Sequence, residues 1–454
     1  MKSPCMRRLR IGATSLAIVS TALFAGCMSA TMPSASRTDL APVHHYLKHV
    51  VIIIQENRSF DNLFSGFPGA DAPKFGYAGT HRIVLHPTPL ENSGDIENNW
   101  RDSISAWNHG KMNGFEGEHF YGGPVDYPYA YVPRAETAPY WAMARQWVLA
   151  ERMFPLEFGP SFTAHLSLIA ANTTFEPTPL AQVDAPTRLQ WGCDAAPGTR
   201  TFTLDVERVE RRNGPFPCFS NFPTIADRLD AAGLSWKYYA TGLGTVAGKV
   251  WSEFHAIRSV YYGPDWKNVI SPQTRVLRDI PAGRLADVSW VTPSWKDSDH
   301  TGSGYNDGPS WVASVVNAIG TSSYWDSTAI IVLWDDWGGW YDNLPPPQRD
   351  FRGLGIRVPC IIISPYARMG LGGKAGYVSH TQYEYGSILK FVEEVFGLPR
   401  IGPPSRGFTD TRATSILDAF DFTQAPRPFR IIPARYPESR FLSERPSDIP
   451  PDDE

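Results

Sequence analysis

Five consecutive branched apolar residues, Val50 to Ile54, run straight into Gln55-Glu56-Asn57-Arg58. A strand with one wet face alternates apolar and polar side chains, whereas an unbroken apolar run fits a strand covered on both faces of a mainly parallel sheet. Thr328-Ala-Ile-Ile-Val-Leu-Trp334 repeats the design and ends in Asp335-Asp336-Trp337-Gly338-Gly339. In open parallel sheets the loops beyond the carboxyl ends of the strands hold ligands, so Glu56, Asn57, Asp335 and Asp336 stand where chemistry is expected. Adjacent aspartates repel unless a proton, a basic group or a cation neutralises them. The four residues together form an oxygen-rich set suited to one hard divalent cation such as Ca, Mg or Mn. The plainer alternative is that Glu56 solvates a strand end while one aspartate caps a turn.

These stretches also carry a resemblance. Glu56-Asn-Arg-Ser-Phe-Asp61 and Trp334-Asp-Asp-Trp-Gly-Gly-Trp-Tyr-Asp342 resemble the signatures of the bacterial phosphoesterase family, which contains phospholipases C and acid phosphatases. The resemblance runs in matching order from about His45 to about Arg400. It implies an alkaline-phosphatase-like α/β fold, a three-layer α/β/α sandwich with a mostly parallel central sheet and long loop insertions.

Other residues gain a meaning from it. Phe158-Gly-Pro-Ser161 leads into an apolar helix, and read alone Ser161 is an ordinary N-cap at the positive end of that helix. By resemblance it is the nucleophile, with its oxygen also on the metal. His165, one turn on, and His300 in Ser298-Asp299-His300 are implied to contact the phosphoryl group or protonate the leaving group. Lys111 (in Gly110-Lys111-Met112), Asn98 and His380 resemble family positions that bind substrate. The chain departs from the family pattern twice. Asn98 stands where a histidine is frequent, and Thr163-Ala164-His165 replaces Pro-Asn-Arg or Pro-Asn-His.

The remaining sequence bounds location and partners. Lys2, Arg7, Arg8 and Arg10 precede the apolar stretch Ile11–Phe24, which is short for a membrane span and reads as a signal peptide over 1–26. Ala25-Gly26-Cys27 resembles a lipoprotein cleavage site, with Cys27 lipidated and residues 27–44 a flexible tether; ordinary secretory cleavage near Ala30 is the alternative. Removing the signal leaves 38 basic against 46 acidic residues, so nothing favours nucleic acid as a partner. Cys193 and Cys218 flank a loop-rich insertion at 180–220 and suit a disulfide in an oxidising compartment. Cys360 lies in an apolar run and reads as an inert thiol. The catalytic domain is expected over 45–425, followed by a Pro-rich tail at 426–454.

The expectation is therefore an exported enzyme, periplasmic, membrane-anchored or secreted, that hydrolyses phosphate esters through a metal and a serine. A phospholipase C-like phosphodiesterase acting on phospholipid is favoured. The rivals are an acid phosphatase and a non-catalytic metal-binding surface lipoprotein.

Overall fold

Eight strands form the central sheet of the computed structural model, which describes residues 43–92, 94–118, 123–175, 180–184, 191–220, 222–242 and 251–446. They are β1 (His49–Gln55), β2 (Val148–Ala150), β3 (Trp236–Tyr239), β4 (Val269–Ile270), β5 (Val288–Val291), β6 (Thr328–Trp334), β7 (Cys360–Ile363) and β8 (Tyr377–Ser379). The order across the sheet is β4-β3-β5-β1-β6-β7-β2-β8. β1 lies between β5 and β6, parallel to both, with Val50 opposite Val288 on one side and Ala329 on the other. Val50 to Ile54 and all of β6 are fully buried, as their unbroken apolar runs require.

Seven strands point the same way, and β7 alone is reversed. A parallel neighbour needs a crossover, usually a helix. Between Trp334 and Cys360 the chain makes no helix and returns to the sheet from the edge it has just left. Arg357 pins this return loop. Its guanidinium bonds Asp342 Oδ1 at 2.9 Å and Asp61 Oδ1 at 3.1 Å, and all three side chains are excluded from solvent. A buried cation flanked by two carboxylates joins the ends of both signature motifs.

Helices cover both faces. On one, α2 (Ala138–Gln146) and α7 (Glu438–Leu442) pack on α5 (Gly308–Gly320); on the other, α4 (Ile225–Ala231) and α6 (Tyr385–Phe396) pack on α3 (Ser161–Ala170). With α1 (Trp100–Trp107) above the carboxyl edge, this is the three-layer α/β/α arrangement with a mostly parallel sheet. Among the described helices none is long and apolar enough to cross a membrane.

α6 begins at Tyr385, because Glu384 and Ser387 form its capping box while Tyr383–Glu384 pairs with Met153–Phe154. Pro223 sits just before Thr224, the N-cap of α4. The 180–220 insertion is not only loop. Thr174–Phe175, Leu180–Asp184, Phe202–Leu204 and Glu210–Arg211 make a small antiparallel sheet of strands too short to show a period of two. Cys193 and Cys218 are bonded to each other in this insertion. The described part of the tail packs on the domain: Phe429 stacks on Trp147 at 5.7 Å and lies edge-on to Trp325 at 5.0 Å. The signal segment, Cys27, the tether up to residue 42 and the last eight residues of the tail lie outside the described residues.

Candidate active site

The carboxyl ends of β1 and β6 are adjacent, so Glu56-Asn57 and Asp335-Asp336 leave the sheet side by side. Asn57 turns into the left-handed region at φ 55°, and its amide donates to Asp335 Oδ1 at 2.9 Å. The next turn presses against it: a Cβ on Gly338 would fall 2.1 Å from the Asn57 carbonyl oxygen, and Gly338 itself has φ 58°. Only glycine fits there on both counts. From this turn the Gly338 amide donates to Asp336 Oδ1 at 2.8 Å, and Asn98 Nδ2 reaches the same oxygen at 2.8 Å. Asn98 is therefore drawn into the cluster, with its own carbonyl oxygen buried and without a partner.

Ser161 is not the N-cap of α3. Pro160 holds that position, and Ser161 is the first helical residue. Its hydroxyl turns away from the helix amides and lies 3.4 Å from Asp336 Oδ2 and 3.5 Å from Asn57 Oδ1. His165 is one turn further on the same helix face. Its Nε2 lies 3.1 Å from Glu56 Oε1 and 3.6 Å from Asp335 Oδ2. One ligand atom each from Glu56, His165 and Asp335 lie within 4.8 Å of one another. His165 thus faces the carboxylates that the sequence assigned to metal.

Burial and crowding set the charge of this group. Burial and the neighbouring Asp335 push Glu56 well above the usual carboxylate range, and the same two causes push Asp336 up. Burial also works against Asp335, but His165, Glu56 and the Asn57 amide outweigh it and hold its carboxyl down at about 2. Three carboxyls this close stay ionised together only beside a positive charge. Glu56 Oε2 and Asp335 Oδ2 are buried without a hydrogen-bond partner, which is what a set of cation donors looks like before the cation is counted. The residues present fit a divalent ion.

The other positions named from the sequence are distributed around this centre. His300 is buried on the loop after β5; its Nδ1 donates to the Thr301 carbonyl at 2.5 Å and its ring centroid lies 4.5 Å from that of Trp295. That loop is clasped by Gln55, whose Nε2 donates to the Asp297 carbonyl at 3.0 Å while its Oε1 accepts the Asp299 amide at 2.9 Å. Lys111 is exposed, and its amide closes a turn on Asn108. His380 lies apart. It is 61% exposed, bonds Glu151 Oε1 at 2.5 Å, and follows β8, three strands from β6, about 14 Å across the sheet. Trp337, Trp340 and Tyr341, which follow Asp336 closely in the chain, are core residues with at most 3% exposure.

Three neighbours were missed in the sequence. Tyr385 donates to the Asp335 carbonyl at 2.5 Å and so holds the β6 terminus from α6. Tyr238, near the end of β3, is 3.4 Å from His165 Nδ1. Glu253 is fully buried with both carboxyl oxygens unpartnered. Of these only Tyr238 had a clue, its place near a strand's carboxyl end.

The loop before Ser161 carries a separate titration. Burial pushes Glu157 up to about 8, against the pull of Arg352 and the Thr173 hydroxyl, which donates to it at 2.8 Å. A carboxyl raised in the folded state stabilises fully below its unfolded value, and that contribution is lost as pH rises through about 8. Glu157→Gln mimics the protonated form. At pH 9 it is expected to unfold at higher temperature than wild type, by on the order of 3 kcal/mol, and at pH 5 to match it. Calorimetry at the two pH values checks this, and equal melting at pH 9 would count against it.

The mostly parallel α/β sheet thus gathers carboxylates, an asparagine amide and a serine hydroxyl at one strand edge. The Phosphoesterase family model matches residues 47–399, and the chain belongs to that family, whose enzymes hydrolyse phosphoric esters. It is 24% identical to the non-hemolytic phospholipase C of Pseudomonas aeruginosa, over 88% of this chain and 62% of that protein. It is 25% identical to phospholipase C A of Mycobacterium tuberculosis, over 85% of this chain and 79% of that one. The chain thus spans under two thirds of the first relative's length. Among solved structures it resembles an alkaline phosphatase superfamily protein from Vibrio parahaemolyticus, at 12% identity and TM-score 0.38, over 82% of this chain and 72% of that one.

Proposed function

We propose that this chain is a metal-dependent phosphodiesterase of phospholipase C type that uses Ser161 as its nucleophile. The observation that carries the reading is the Ser161 hydroxyl, which faces Asp336 and Asn57 instead of capping its own helix. When bound, a divalent cation held by Glu56, Asn57, Ser161, Asp335 and Asp336 supplies positive charge for the phosphoryl oxygens and lowers the cost of ionising the serine.

The protein residues do the rest. The first turn of α3 points free amides and a positive helix end at the incoming phosphoryl group. Asn98 and Gly338 hold Asp336 in place through its Oδ1, leaving Oδ2 toward the Ser161 hydroxyl. Ser161 Oγ forms a bond to phosphorus as the bond to the alcohol leaving group breaks, and the alcohol departs with a proton. His300 is the assigned donor of that proton. Its Nδ1 donates to the Thr301 carbonyl, which fixes the orientation of the ring. Water then cleaves the phosphoserine, releasing the phosphorylated head group. The phospholipase C relatives favour a phospholipid over a simple phosphomonoester as substrate.

Assay of a chromogenic choline phosphodiester beside a chromogenic phosphomonoester, with and without chelator, tests the proposal. Diester turnover at least about tenfold above monoester, abolished by chelator, is the expected result. Preference for the monoester would make the chain an acid phosphatase. No turnover of either would support a non-catalytic lipoprotein.

A further inference from the structure

Resting on the metal-dependent reading above, we propose that His165 is a nitrogen ligand of the cation and that Tyr238 is the positioning residue that fixes its tautomer. The site then selects a borderline divalent cation of the Fe, Co or Zn type over Ca or Mg.

The proton count on the His165 ring leads there. Tyr238 has one hydroxyl proton, and it donates that proton to the Trp251 carbonyl at 2.9 Å. What the hydroxyl presents to His165 Nδ1, 3.4 Å away, is therefore a lone pair. Nδ1 carries a proton, so Nε2 is the nitrogen whose proton a cation would displace. Nε2 points at Glu56 Oε1 at 3.1 Å and Asp335 Oδ2 at 3.6 Å. That nitrogen and two carboxylate oxygens stay together in a site excluded from solvent only with a proton or a cation between them. Glu56 Oε2 and Asp335 Oδ2 have no hydrogen-bond partner, and neither residue is exposed. Unpartnered buried oxygens beside an imidazole whose Nε2 faces them form a ligand set that a cation satisfies.

The relay from Trp251 through Tyr238 to His165 is the outer arrangement by which a ligating histidine is held, its second nitrogen occupied by an oxygen acceptor. Ser161 and His165 share one face of α3, so the same ion sits against the nucleophile. The donor set decides its identity. Ca takes six to eight oxygens, Mg keeps oxygen ligands and waters, and imidazole favours later divalent metals. The all-oxygen cation expected from the sequence is thereby revised toward a mixed nitrogen and oxygen site.

Pulsed electron paramagnetic resonance on full-length protein, stripped with chelator and reloaded with Mn, reads the ligand directly. Wild type is expected to show nitrogen modulation from a directly bound imidazole, and His165→Gln to bind Mn without it. A hundredfold excess of Ca is expected to leave Mn bound. Tyr238→Phe should retain the nitrogen signal but bind Mn on the order of tenfold more weakly by titration calorimetry. Mn bound without nitrogen modulation in wild type, or displaced by an equal concentration of Ca, would overturn the ligand assignment while leaving the metal-dependent reading intact. Unchanged Mn affinity in Tyr238→Phe would overturn the positioning role. If wild type binds no divalent ion at all, the metal-dependent reading itself fails. The wild-type spectrum and competition need no variant, so a misfolded mutant cannot obscure them.

Discussion

Ser161→Ala is expected to abolish phosphodiester turnover, by at least about a thousandfold in kcat, while leaving the cation bound. Removing a covalent nucleophile deletes a step, and such losses run to several orders of magnitude, whereas a lost positioning contact costs on the order of a hundredfold. The substitution is mild for the fold. Ser161 is at the first helical position, its hydroxyl makes only the 3.4 and 3.5 Å contacts to Asp336 and Asn57, and alanine is favourable in a helix. Stability should thus be nearly unchanged, which separates chemistry from misfolding. Single-turnover kinetics and metal titration on one preparation make the measurement. If the variant keeps a tenth or more of wild-type turnover, Ser161 is not the nucleophile, and an activated water must attack instead.

The second large effect is expected at Asp335. Asp335→Asn keeps the shape and can still accept the Asn57 amide, but it removes the carboxylate that remains ionised most readily in the cluster. Cation affinity should fall by on the order of a hundredfold or more. Turnover should fall with it and recover in part when excess metal is added, which Ser161→Ala does not do. Calorimetric titration of the divalent ion, with activity followed across metal concentration, distinguishes the cases. An unaltered affinity would remove Asp335 from the ligand set.

The two central strands were legible because full burial on both faces removes any need for polar positions, and both strands end abruptly in polar clusters. That placed Glu56, Asn57, Asp335 and Asp336 together without further help. The short strands Val148–Ala150 and Tyr377–Ser379 were not legible, being three residues each and without periodicity. The reversal of β7 was equally hidden, since it depends on where the return loop lies and not on the strand's own residues. At the site, contacts of long separation were the blind spot. Asn98 reaches Asp336 across 238 positions, and nothing local in the Asn98 segment announces it. Ser161 read alone as a helix cap because serine favours that place; Pro160 occupies it and frees the hydroxyl. His165 was visible as a residue one turn from Ser161, but the direction its ring faces depends on Tyr238 and Glu56, which come from two other elements.

The position of β1 between β5 and β6 has a kinetic side. Val50 must find Val288 and Ala329, so the innermost ladder closes loops of well over two hundred residues. Loop-closure entropy of that size is lost before the contacts return anything, and sheets dominated by such pairings fold slowly. A nascent chain that has emerged only as far as residue 280 has the β1 strand and the Ser161 helix but neither of the partners that flank β1. The cation donors from β1 and β6 therefore meet only once most of the chain is available. Metal capture is a late event in the life of each molecule, and until then the five-residue apolar run at Val50 is a bare, aggregation-prone strand.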